Sequence, residues 1–85
     1  MKKPKRKSCK GKKLKPHPVD VRVGERIREI RKSREMSQND LAKQIGVRFQ
    51  QVQKYENALN RISASRLYMT AEALDVEIGD LFRSA

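Results

Sequence analysis

Residues 37–57 read SQNDLAKQIGVRFQQVQKYEN, and the fold is decided here. Ser37 is a good helix N-cap, and Asp40 three residues later completes a capping-box pattern. Leu41, Ala42 and Ile45 recur at helical spacing, so a helix over residues 38–45 has one apolar face. Gly46 follows at once, where the chain must take a positive φ that glycine adopts without steric cost. A second helix from about Arg48 then places Val52 and Tyr55 on its inner side. Ala42 is small, and two helices crossing steeply after a short turn need a small side chain at closest approach.

A small residue, a glycine four positions on and a valine six after that is the signature of a helix-turn-helix, whose second helix enters a DNA major groove. The outer side of that second helix carries Phe49, Gln50, Gln53 and Lys54, with no carboxylate among them. Glutamine can bridge adenine at two points, lysine can reach guanine acceptors, and Phe49 could touch a thymine methyl. These four are the expected base contacts. A polar helix face is more often merely solvated, and it is the motif around this one that favours base reading. Gln38 opens the preceding helix, where its amide and the helix N-terminal N–H groups can hold a phosphate; it could equally be an ordinary first-turn polar residue.

Working outward, 85 residues make one small domain with a modest core of four or five short helices. Tryptophan is absent, so that core is aliphatic. The formal net charge of +11 points to a polyanionic partner. Most of it sits on residues 1–18, MKKPKRKSCKGKKLKPHP, which hold nine Lys or Arg and no acid. Such a segment cannot bury enough apolar surface to order itself and is expected to be a disordered arm. It could lie along phosphates or reach a minor groove, or simply add salt-sensitive, non-specific affinity. Residues 19–85 are the expected domain, with the motif over 38–57. Cys9 stands alone, so neither an intramolecular disulfide nor a Cys-rich metal site is expected, and His17 reads as a linker residue without a metal-ligating partner.

The first helix is expected over residues 21–34, with Val23, Ile27 and Ile30 as its apolar stripe. Glu25, Arg28, Glu29 and Lys32 lie on its exposed faces, and Met36 is placed to pack as the staple before the Ser37 cap. Ser63 can cap a fourth helix over residues 64–74, with Leu67, Ala71 and Leu74 inward and Tyr68 and Met69 at the rim. A last helix over residues 78–83 carries Leu81 and Phe82. Ile78, Leu81, Phe82 and Tyr68 either form a dimer surface or close the core. No apolar run is long enough for a membrane span or a signal peptide, which predicts a cytoplasmic protein. One His, one Cys in the arm and no Gly-rich phosphate loop leave nothing to assemble a nucleophile or metal centre, so no enzyme and no cofactor is expected.

Most of the chain after the arm, residues 24–82, resembles the phage-repressor-like (Cro-type, XRE-family) helix-turn-helix regulators. The pieces that carry the likeness are IREIRKSREMSQNDLA, IGV, VQKYEN, and SASRL, AEALDV and DLF. The resemblance implies an all-α, compact five-helix bundle of the lambda-repressor-like type. It implies binding of double-stranded operator DNA as a homodimer, in a bacterial or phage setting at the nucleoid, with no membrane role and no small-molecule ligand. It assigns phosphate contacts to Gln38, Asn57, Asn60 and Arg61, and base contacts to Phe49, Gln50 and Lys54; Gln51, set partly sideways on the second helix, is a further expected phosphate contact. Arg31 and Glu56 hold positions that pair in some members, or are two independent surface charges worth well under 1 kcal/mol.

Two departures stand out. Relatives commonly have glycine after Asn57, but this chain has Ala58, which predicts a left-handed Asn57 or Ala58 at a cost of roughly 1 kcal/mol. Arg48 replaces the usual Ser or Thr before the recognition helix, losing a cap but adding a cation beside the phosphates. The leading expectation is a sequence-specific repressor. The alternatives are an antitoxin-type autorepressor and a non-specific nucleic-acid-binding basic protein.

Overall fold

The computed structural model describes residues 15–83, so most of the basic arm lies outside the described residues. Helix α1, Pro18–Ser33, begins a turn earlier than its apolar stripe predicts. His17 Nδ1 accepts the Val19 N–H at 3.0 Å, and Pro18 takes the first helical position, where its missing N–H costs nothing. His17 is therefore a helix cap rather than a linker residue, and Pro18 belongs to the helix rather than to the arm. On the exposed side Glu29 pairs with Arg26 at 3.2 Å.

Helix α2, Gln38–Ile45, carries the expected box: the Ser37 hydroxyl accepts from the Asp40 N–H at 2.9 Å, and the Asp40 carboxylate accepts from the Ser37 N–H at 3.0 Å. The Ser37 N–H on its oxygen foremost, and then the Ser37 hydroxyl, hold the Asp40 carboxyl below its ordinary range. What they contribute is thus present above the unfolded-state pKa and is lost as pH falls through the folded one. Gly46 ends α2 at φ 72°. Helix α3, Phe49–Glu56, starts from Arg48 without a side-chain cap, as the missing Ser or Thr implies. Helix α4, Ala64–Leu74, starts from Ser63, whose hydroxyl accepts the Arg66 N–H at 3.2 Å.

The last element departs from expectation. Ile78–Phe82 is a 3-10 helix, followed by an extended Arg83, so the described residues hold four α-helices and one 3-10 helix instead of five α-helices. Five residues offer too few i→i+4 bonds to repay nucleation, and a 3-10 turn suits so short a closing segment.

Every connection turns through one left-handed residue: Glu35, Gly46, Ala58 and Asp75, of which only Gly46 is a glycine. Ala58 sits at φ 58°, as the missing glycine predicted. Glycine relieves a left-handed penalty of about 1–2 kcal/mol but adds unfolded-chain entropy of about 0.4–1 kcal/mol. Ala58→Gly is accordingly expected to raise the melting temperature slightly; a fall would contradict the strain at this position.

The core is aliphatic, as the composition requires. Ile27, Leu41, Ala42, Ile45, Val52, Leu74 and Leu81 are all fully buried, with Val23, Ile30, Tyr55 and Ala71 around them and Met36 packed against the cluster. Each large member contributes about 1.5–3 kcal/mol by leaving water. Thr70 is also fully buried; its hydroxyl donates to the Arg66 carbonyl at 2.7 Å, which removes the cost of a polar atom in the core. α2 packs against α3 and α4, while α1 packs against α3, α4 and the 3-10 helix. Leu81 closes the core, whereas Ile78, Phe82 and Tyr68 remain exposed.

Two features seat α1 against α3. Gly24 is buried where a Cβ would lie 2.5 Å from the Tyr55 carbonyl oxygen and 2.7 Å from that of Glu56, so only a glycine lets the helices meet. One helical turn pair further on, Arg31 Nε and Nη2 donate to the two oxygens of Glu56 at 2.6 and 3.1 Å, and Nη1 donates to the Met36 carbonyl at 2.8 Å. Both side chains are buried, so these are not independent surface charges.

Candidate nucleic-acid interface

Helix α3 has two unlike sides because its buried residues recur at i, i+3 and i+4. Val52, Tyr55 and Glu56 are buried. Phe49 and Gln53 form one exposed row at the edge of that buried side and Gln50 and Lys54 the next, opposite it, each pair one turn apart. Phe49, at 41% exposure, is a large apolar residue left in water at the start of the helix. The single acid of α3, Glu56, is drawn inward by Arg31, which leaves the outer side of the helix free of negative charge.

Arg48, Gln50, Gln51 and Lys54 line one open depression beside α3, closed on its far side by Ser63, Ser65 and Arg66 from the start of α4. Its three cations face no carboxylate in the lining. Ser65 and Arg66 were not singled out from the sequence. Their signal was available, because both follow the Ser63 cap and so lie in the first turn of α4, where donors cluster.

The remaining expected contacts are distributed around this face. Gln38 is half-buried, and its Nε2 donates to Glu56 Oε1 at 3.0 Å, which ties the start of α2 to the end of α3. Asn57 is exposed, with its Nδ2 on the Gln53 carbonyl at 2.9 Å. Asn60 and Arg61 are exposed in the loop beyond α3, and Arg61 Nε donates to Asp20 Oδ2 at 3.0 Å. Among the described residues no group of three His, Cys, Asp or Glu is placed to hold a metal, and no helix is long and apolar enough to cross a membrane.

A two-helix unit joined by a glycine turn, set in an all-helical body with the acid-free side of the second helix outward, defines a helix-turn-helix protein. Residues 27–81 match the family model described as Helix-turn-helix, and the chain belongs to that family of phage-repressor-like, XRE-type transcriptional regulators, which are not enzymes. An uncharacterized transcriptional regulator in the ATPase CF(0) region of Rhodospirillum rubrum is 54% identical over 66 residues, covering 78% of this chain and 61% of that protein. The chain spans roughly half the length of the curated relatives it matches. The restriction-modification controller protein C.AhdI from Aeromonas hydrophila superposes with a TM-score of 0.74 at 32% identity, covering 78% of this chain and 100% of that one. The P22 c2 repressor in complex with a synthetic operator gives 0.69 at 27% identity, covering 74% and 96%.

Proposed function

We propose that this chain is a sequence-specific, double-stranded DNA-binding repressor that lays α3 in the major groove of an operator. The observation that carries the reading is the outward, acid-free side of α3, where Phe49, Gln50, Gln53 and Lys54 stand exposed while Val52, Tyr55 and Glu56 anchor the opposite side. In this reading those four residues meet base edges. Gln38, Arg48, Gln51, Asn57, Asn60 and Arg61 meet phosphates on either side of the groove and fix the register. The cationic depression shared by α3 and the start of α4 supports that division, since its lining holds three cations and no carboxylate.

The functional unit is a homodimer on a palindrome, acting at the nucleoid by occluding a promoter. The exposed Tyr68, Ile78 and Phe82 offer apolar surface for a second copy, and two recognition helices spaced about 34 Å apart would read successive major grooves. Selection of bound fragments from random DNA tests specificity and symmetry together, with a palindromic consensus as the expected result. A selection without consensus would instead favour a non-specific basic protein. On the selected site Gln50→Ala is expected to lose about 1–3 kcal/mol while hardly changing affinity for random DNA; equal losses on both would remove Gln50 from base reading.

A further inference from the structure

The Asp20–Arg61 ion pair joins the first turn of α1 to the loop after α3. Asp20 is the first acid in the chain, preceded only by basic and neutral residues. Its carboxylate reaches across the fold to Arg61 rather than to a neighbour, accepting from Nε at 3.0 Å. The aspartate side chain is 23% exposed and the arginine side chain 73%. A half-sheltered carboxylate thus holds a guanidinium that stands in water.

The packing explains why the two meet. Gly24 seats α1 directly on the last carbonyls of α3, and Asp20 lies one turn earlier on the same side of α1. The first turn of α1 is thereby carried to the loop after α3, where its N-terminal dipole favours a negative side chain. The bond is made through Nε, which leaves the edge between the two terminal nitrogens with its two parallel N–H donors. That is the fork which grips a phosphate at two points.

We infer that Asp20 is a positioning residue: it orients the Arg61 guanidinium for the phosphate backbone. The inference rests on the DNA-binding reading above. Arginine loses much rotamer freedom when a ligand fixes it, and a side chain already held in place loses less on binding. The opposing expectation is electrostatic. A carboxylate near a polyanion repels it and competes for the same cation, so removing Asp20 would tighten binding. The two accounts differ in sign.

The test measures binding of the full chain to a short random-sequence duplex over a salt series. Asp20→Ala is expected to weaken binding about two- to fivefold, although it removes a negative charge. Asp20→Asn keeps an acceptor oxygen for Nε without the charge, and is expected to bind as tightly as the parent or more so. Arg61→Ala is expected to flatten the salt slope by about 0.9 and to make a second Asp20→Ala change silent. Tighter binding by Asp20→Ala, or an equal loss with and without Arg61, would overturn the proposal. An Arg61→Ala protein with unchanged affinity and slope would overturn it too, by removing Arg61 from the phosphates while leaving base reading by α3 intact. Failure of the parent chain to bind any duplex would sink the DNA-binding reading itself.

Discussion

Glu56→Ala lowers the free energy of unfolding by about 3–5 kcal/mol, the loss expected when one member of a buried ion pair is removed. The magnitude follows from what remains. Arg31 keeps its bond to the Met36 carbonyl, but its Nε and Nη2 donors lose both carboxylate oxygens while staying in the interior. Gln38 loses its acceptor at the same time, so α1, α2 and α3 come loose at one point. For a domain of this size such a loss is a large part of the whole stability. Urea unfolding measures it, and an apolar replacement of both charges, Arg31→Met with Glu56→Leu, is expected to recover most of it, because the pair attracts little more than it costs to desolvate. A loss below about 1 kcal/mol for Glu56→Ala would mean that water screens the pair as it does on a surface.

Gly24→Ala has an opposite local and global effect. Alanine is the better helix former by about 1 kcal/mol, so α1 alone favours the change. The added Cβ would fall 2.5 Å and 2.7 Å from two backbone oxygens at the end of α3, and neither can move unless α3 moves. Overpacking of that kind costs about 1–3 kcal/mol, occasionally more, and here the strain falls on the helix proposed to read DNA. The expected result is a lower urea midpoint together with weaker binding to the selected operator. Gly79→Ala serves as the control, since its Cβ would meet nothing within 4 Å and its stability is expected to hold. Equal behaviour of the two variants would show that α1 and α3 have room to separate.

The helices themselves were legible because their signals are local. Ser37 with Asp40, Gly46 and Ser63 act on backbone groups within a few residues, and α2 and α4 run over the residues those signals predict. The exposed side of α3 was legible for the same reason, since the spacing of Val52 and Tyr55 leaves Gln50 and Lys54 opposite. His17 was misread because a histidine between two prolines resembles a linker until its ring is seen to accept an N–H two residues on. The final helix was misread as α because Leu81 and Phe82 mark an apolar segment without showing that five residues would close as a 3-10 turn.

What the amino-acid order settled is therefore the position of α2, α3 and α4, the side of α3 that turns outward and the aliphatic nature of the core, since caps and 3.6-residue periodicity act over one or two turns. What needed the folded chain is the fate of its charges and of its smallest residue. Arg31 and Glu56 lie 25 positions apart and Asp20 and Arg61 lie 41 apart, and nothing near any of them tells that the first pair is buried and the second stands at the surface. Burial of a charge is set by which helices pack over it, and that packing depends on contacts far apart in the chain, as the one at Gly24 shows.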